Sequence, residues 1–158
     1  MKKSILAVIA VSMLMLSCKK EAEETFDIPT VAEEIEEVPQ FVENCYLGII
    51  KSDTITMHLK IGKDNMAEGH LNYKFFEKDN NEGKFVGTMK GDTLFADYVF
   101  MSEGKSSVRE VVFLQKGNLM IEAYGDIEDK DGKMVFKDKK KLFFDSMMIL
   151  SKTDCEVR

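Results

Sequence analysis

Few side chains in this sequence are of types that do chemistry, and their spacing limits what each could do. There are two histidines, His58 between Met57 and Leu59 and His70 between Gly69 and Leu71. If the segments carrying them pair as a hairpin, the imidazoles approach each other, and a neutral imidazole nitrogen is a metal ligand. No third ligand is spaced to complete a closed zinc site. Outward, solvated histidines explain the pattern, so no metal is expected. Asp126-Ile127-Glu128-Asp129-Lys130-Asp131-Gly132 has the acid density of a calcium loop. Its register is wrong, because placing Asp131-Gly132 at the fifth and sixth loop positions puts Ile127 where the first acid belongs. A polar hairpin loop is expected instead. Gly104-Lys105-Ser106 evokes a phosphate loop, but Val99 stands where the upstream glycine is required, and the strand-like run Val108 to Leu114 follows in place of a helix.

Arg109 is the most suggestive residue. In a strand it shares a face with Val111 and Phe113. An arginine among apolar residues either faces a ligand anion or pairs with a carboxylate, here Glu103 or Asp97, and a structural ion pair is the more frequent outcome. Arg109, Tyr98 and Glu103 form the candidate ligand-binding set. The sequence has no serine nucleophile elbow, no Cys–His pair and no glycine-rich dinucleotide fingerprint. No catalytic residues and no cofactor are expected.

The elements that would position these residues read as strands. Apolar and polar residues alternate in Thr54–Ile61, the period of a half-buried strand, and one face is shared by Gly69, Leu71, Tyr73 and Phe75, by Leu94, Ala96, Tyr98 and Phe100, and by Leu119, Ile121 and Ala123. Turn signals separate them: Ser52-Asp53, Gly62 to Asn65, Asn80 to Gly83, Gly91-Asp92, Gly117-Asn118 and Asp131-Gly132. Asn, Asp and Gly tolerate the positive φ that tight hairpins require. No proline follows Pro39, so none of these runs is excluded from a sheet. About eight strands are expected, near residues 45–51, 54–61, 66–76, 84–90, 93–101, 107–115, 118–124 and 134–152, the last as one or two pieces. Lys137 to Phe144 is either loop or one helical turn before a closing strand from Met147 to Lys152.

An antiparallel meander of that size closes into a small all-β barrel, lipocalin-like or similar, which removes exposed edges. Its interior is filled by side chains or holds one small ligand. Met57, Met89, Met101, Met120, Met147 and Met148 suit filling, as pliable occupants of irregular gaps. The alternation points Leu71, Tyr73, Phe75, Leu94, Ala96, Tyr98, Phe100, Val111, Phe113 and Ile121 inward, and His58, His70, Asn72, Asp97 and Glu122 outward.

Charge is unevenly spread. Lys19 to Asn44 holds two lysines against nine acids, a net of −7, whereas the chain from Cys45 onward nets −1. The acidic segment, with Pro29 and Pro39 and few aromatics, cannot bury enough apolar surface to fold and is extended by self-repulsion. It reads as a spacer, within which Val31 to Val38 could form a transient helix. Nothing here neutralises phosphates, so nucleic acid is not an expected partner.

Before the spacer, Lys2-Lys3 precedes an apolar run from Ile5 to Leu16, which ends at Ser17-Cys18. This is the layout of a secretory signal, too short for a bilayer span of about 20 residues. Met15-Leu16-Ser17-Cys18 resembles the lipobox of bacterial lipoproteins, with Met15 where Leu is commoner. The resemblance implies cleavage after residue 17, a diacylglycerol on Cys18 and an acyl (palmitate-type) chain. Each buried methylene contributes about 0.8 kcal/mol, so two or three chains anchor firmly. The alternatives are a plain cleaved signal with an incidental Cys, or a signal-anchor helix. Lys19-Lys20-Glu21-Ala22-Glu23-Glu24 resembles the export signal that sends some Bacteroidota lipoproteins to the cell surface. The run from Phe85 to Gly104, continuing through Val108-Arg109-Glu110-Val111, resembles the central segment of small lipoproteins of flavobacterial type, which implies a shared β fold and an exported setting.

With Cys18 lipidated, Cys45 and Cys155 remain as an even pair in an oxidising compartment. The expected disulfide would close nearly the whole domain, and the alternative is two buried thiols. The expected organisation is a cleaved signal over 1–17, a lipid-anchored acidic linker over 18–44 and a β-barrel over 45–158. The expected location is the bacterial cell envelope, as an outer-membrane lipoprotein facing the periplasm or the surface. Its role would be a non-catalytic binding or structural module, with a small apolar ligand, an envelope glycan or a protein as partner. The competing readings are an inhibitor of an envelope-degrading hydrolase such as a lysozyme, with Ser102 to Ser107 as its protruding loop, and an enzyme with a pocket near Arg109.

Overall fold

The computed structural model describes residues 40–144 and 148–155. The signal over 1–17, Cys18, the linker as far as residue 39, and Met147 lie outside the described residues. Ten strands are formed: β1 (Val42–Ile50), β2 (Asp53–Ile61), β3 (Met66–Lys74), β4 (Asn81–Lys90), β5 (Thr93–Ser102), β6 (Lys105–Lys116), β7 (Leu119–Glu122), β8 (Ile127–Lys130), β9 (Lys133–Phe136) and β10 (Ile149–Thr153). Eight of them close an antiparallel barrel in the order β1-β2-β3-β4-β5-β6-β7-β10, with β10 pairing β1 on one side and β7 on the other. The expected all-β barrel is therefore present, as a meander interrupted once. Between its seventh and eighth wall strands the chain leaves as the β8–β9 hairpin, and β9 runs parallel to β6 at Val108 and Arg109. A 3-10 turn at Lys139–Lys141 precedes the return.

Short turns set the register. Lys51-Ser52, Gly91-Asp92, Glu103-Gly104, Gly117-Asn118 and Asp131-Gly132 are two-residue connections. Glu103 and Gly104 both take positive φ, 49° and 74°, the backbone that matches the right-handed twist of a hairpin. Ser102 to Ser107 is consequently a tight turn with paired arms, not a protruding loop. The acid-rich run is a hairpin as expected, but its first arm is a strand, β8.

The interior is filled. Tyr46, Tyr73, Tyr98, Phe85, Phe113, Ile55, Met57, Leu59, Leu71, Leu94, Met120 and Leu150 are fully buried, and Phe75 and Phe100 pack against this cluster from its edge. Curvature needs positions without a side chain where strands coil tightly. A methyl group on Gly87 would collide with the Phe95 carbonyl oxygen and the Ala96 backbone, which is why glycine stands in the middle of β4.

One strand departs from the expected facing. In β7, Met120 joins the interior cluster, so Glu122 points inward and Ile121 outward. Val112, Ile121, Ala123 and Val135 are buried without joining that cluster. Because β7 is buried on both faces, its apolar alternation carries no information about which face is inside.

Three adjacent residues of β4 test this register. Phe85 is 1 % exposed and Val86 57 %. Phe85→Ala should cost about 3–5 kcal/mol in chemical denaturation, Val86→Thr should stay within about 0.5 kcal/mol, and Gly87→Ala should be strongly destabilising. Equal effects at residues 85 and 86 would mean a one-residue slip.

Candidate functional site

The polar interior lies at the barrel end that carries the β5–β6 turn. Arg109 follows that turn on β6, on the inward face shared with Val111 and Phe113, and Glu122 closes β7 directly opposite Phe113. Glu122 is 6 % exposed, the one buried polar or charged side chain among the described residues. The Tyr73 hydroxyl donates to Glu122 Oε1 at 2.8 Å, and Arg109 Nη2 approaches the same oxygen at 3.6 Å. The guanidinium lies 5.0 Å from the ring centre of Tyr73, 5.6 Å from that of Tyr98 and 5.8 Å from that of Phe100. Tyr98 and Phe100 stack at 4.9 Å. The Tyr98 hydroxyl donates to the Leu71 carbonyl at 2.7 Å.

Arg109 is thus caged: a delocalised cation against electron-rich aromatic faces, with one carboxylate as counter-ion. Burial is the main influence on Glu122 and raises its pKa, opposed by the Arg109 charge and the Tyr73 hydrogen bond. Burial and the neighbouring carboxylate hold the Tyr73 phenol well above its ordinary value, so it stays a donor. Arg109 Nε is buried without a hydrogen-bond partner, while the side chain as a whole is 34 % exposed at the mouth.

Of the expected ligand-binding set, Arg109 and Tyr98 come together and Glu103 does not. Glu103 sits in the β5–β6 turn, exposed. Asp97, the other expected carboxylate, faces outward and pairs with Lys133 at 2.6 Å. The partner that the sequence pattern hides is Glu122, which the alternation points outward and the fold buries inside. A signal for it existed: a two-residue turn at Gly117-Asn118 sets Lys116 opposite Leu119, and hence Phe113 opposite Glu122 on one face.

Outside the barrel, a shallow cleft of about 230 Å³ is lined by Val86, Phe95, Asp97, Glu110, Val112 and Lys139. Its charges are satisfied from within the chain. Glu110 accepts from Lys139 at 2.7 Å and from the Phe136 amide at 3.0 Å, which pins the excursion after β7 to the wall. In the acidic hairpin, Asp129 Oδ1 accepts from the Gly132 amide at 3.0 Å, the hydrogen bond of a turn. Gly104-Lys105-Ser106 spans the β5–β6 turn and the start of β6 and makes no phosphate cradle. His58 and His70 are cross-strand partners on the outer wall, and His58 Nε2 lies 3.2 Å from Glu43 Oε2. Cys45 and Cys155 are joined as a disulfide, with their Cα atoms 5.1 Å apart.

No family model, curated protein or solved structure matches the chain.

The raised pKa of Glu122 has a testable sign. A folded-state value above the ordinary 4.5 means stability that is present at low pH and lost as pH rises through the folded value. Relative to Glu122→Gln, the wild type should lose stability as pH climbs from 4.5 upward, in denaturation series at matched pH. A gap that instead grows in favour of the wild type would mean the Arg109 attraction outweighs desolvation. Glu122→Ala, which also orphans the Tyr73 hydroxyl, should cost about 3 kcal/mol at neutral pH, the low end for a broken buried pair because Arg109 retains some water.

Proposed function

We propose that this chain is a lipid-anchored protein of the bacterial envelope whose small barrel is a non-catalytic binding or structural module working through its outer surface. The observation that carries the second half is the filled interior. Aromatic and aliphatic side chains occupy the space that a ligand-holding barrel would leave open. The inward charges, Arg109 and Glu122, neutralise each other and are held by Tyr73. A small apolar ligand would have to displace this packing. A macromolecular partner, an envelope glycan or a protein, would need only the wall and the turns. The first half rests on the lipobox-like Met15-Leu16-Ser17-Cys18 and the acidic spacer after it, and the Cys45–Cys155 disulfide suits an oxidising compartment.

Two experiments test the reading. Cys18→Ser should leave the protein unlipidated and move it out of the membrane fraction, and unchanged detergent partitioning would sink the anchor. Native mass spectrometry of the protein released from its own envelope should show no stoichiometric small-molecule adduct. A retained apolar ligand would instead mean that the barrel opens to hold a guest.

A further inference from the structure

The outer wall beside the disulfide carries a second constellation. β1 and β2 pair so that Cys45 lies directly opposite His58, and β1 pairs β10 so that Cys45 lies opposite Thr153, with Cys155 just beyond. The two sulfurs and a ring nitrogen of His58 all lie within 4.8 Å of one another, and all three residues are half-buried. Glu43, two residues before Cys45 on the same outer face, adds an oxygen donor 3.2 Å from His58 Nε2. Lys60 holds that carboxylate from the other side at 3.0 Å.

We propose that the disulfide masks a metal site, and that the reduced protein binds one zinc-type ion through Cys45 Sγ, Cys155 Sγ and His58, with Glu43 at the fourth position. The chemistry follows from the donor set. Joined as a disulfide, the sulfurs carry no charge and are poor ligands; as thiolates beside an imidazole and a carboxylate they form the mixed S, N and O shell that tetrahedral zinc takes. Three of these donors sit on paired strands of a closed wall, so the backbone holds them near one another and only side-chain rotations are needed to part the sulfurs. The electron balance is simple. A dithiol reductant gives two electrons and two protons, becoming a disulfide itself while Cys45 and Cys155 become thiols. Metal binding then displaces the two thiol protons. Metal and disulfide are mutually exclusive, so the ion should protect the thiols from reoxidation.

The test uses the full chain carrying Cys18→Ser, which removes the one other thiol and is wild type at the site, reduced with dithiothreitol and freed of reductant without oxygen, with cobalt(II) and zinc(II) as probes. Reduced wild type should bind one equivalent of cobalt with thiolate-to-metal absorption in the near ultraviolet, and zinc should displace it. The oxidised protein should bind at least about 100-fold more weakly. His58→Ala should weaken binding about 10-fold or more, whereas His70→Ala, which alters the neighbouring imidazole outside the donor set, should stay within about twofold. Zinc should slow reoxidation of the wild type by about 10-fold and leave His58→Ala less protected. Equal binding by reduced and oxidised protein would overturn the proposal. So would equal binding by reduced wild type and His58→Ala, or a reduced protein whose circular dichroism shows it unfolded and unrestored by zinc.

Discussion

A sheet of this curvature must either close or expose an edge, and everything in the molecule depends on β10 slotting between β7 and β1. β10 contributes only a short ladder to each neighbour, yet without it β1 and β7 would each present unpaired amides and carbonyls to water and to other chains. The Cys45–Cys155 link fastens this last joint at the end of the β1–β10 ladder. It spans 110 residues of sequence, and closing so long a loop removes up to roughly 4.7 kcal/mol of denatured-state entropy in the chain-entropy model. The excursion through β8 and β9 is what lets the chain reach that gap. Its contacts with Glu110 and Asp97 hold it against the outside wall.

Closure also dictates the chemistry inside. Eight strands leave an interior that side chains can fill, and tyrosines occupy much of it here while needing somewhere to send their hydroxyls. Tyr98 bonds to a backbone carbonyl and Tyr73 to Glu122. A buried carboxylate needs a counter-charge, and Arg109 supplies it while spreading its own charge over three rings. Arg109, the residue most like a ligand hook in the sequence, is thus paired with Glu122 and packed against rings. Its half-exposed position at the mouth follows from the length of the side chain, with the stem inside and part of the head in water.

The barrel was largely legible in the sequence because most strands have one dry and one wet face. Leu71 and Tyr73 alternate with polar neighbours, Leu94 and Tyr98 lie on one face of β5, and all four are buried in the interior. Turn residues with a preference for positive φ marked most of the connections. Legibility failed where the two-faced pattern failed. β7 is buried on both sides, so the alternation points Ile121 inside and Glu122 outside, although the tight turn before it fixes the opposite facing. β8, made of Ile127-Glu128-Asp129-Lys130, has almost no apolar content and reads as loop. Phe100 lies at the edge of the core, not its centre. The candidate site was half visible: Arg109 and Tyr98 were recognisable from their face, but their carboxylate lay on the strand whose register was hidden. The approach of His58 to the disulfide was not visible at all, because it depends on the β1–β2 register and on where the chain's last strand returns.

In the proposed reading, Arg109 and Glu122 serve each other inside the barrel and not a guest. A double-mutant cycle measures that directly, using Arg109→Met to keep volume and Glu122→Gln to keep the acceptor for Tyr73. Stability of the four proteins at pH 8 should reveal a favourable coupling of at least about 1 kcal/mol, as groups in one network show. Effects that add to within about 0.3–0.5 kcal/mol would mean the two charges are independent, and Arg109 would then be free for an anion from outside.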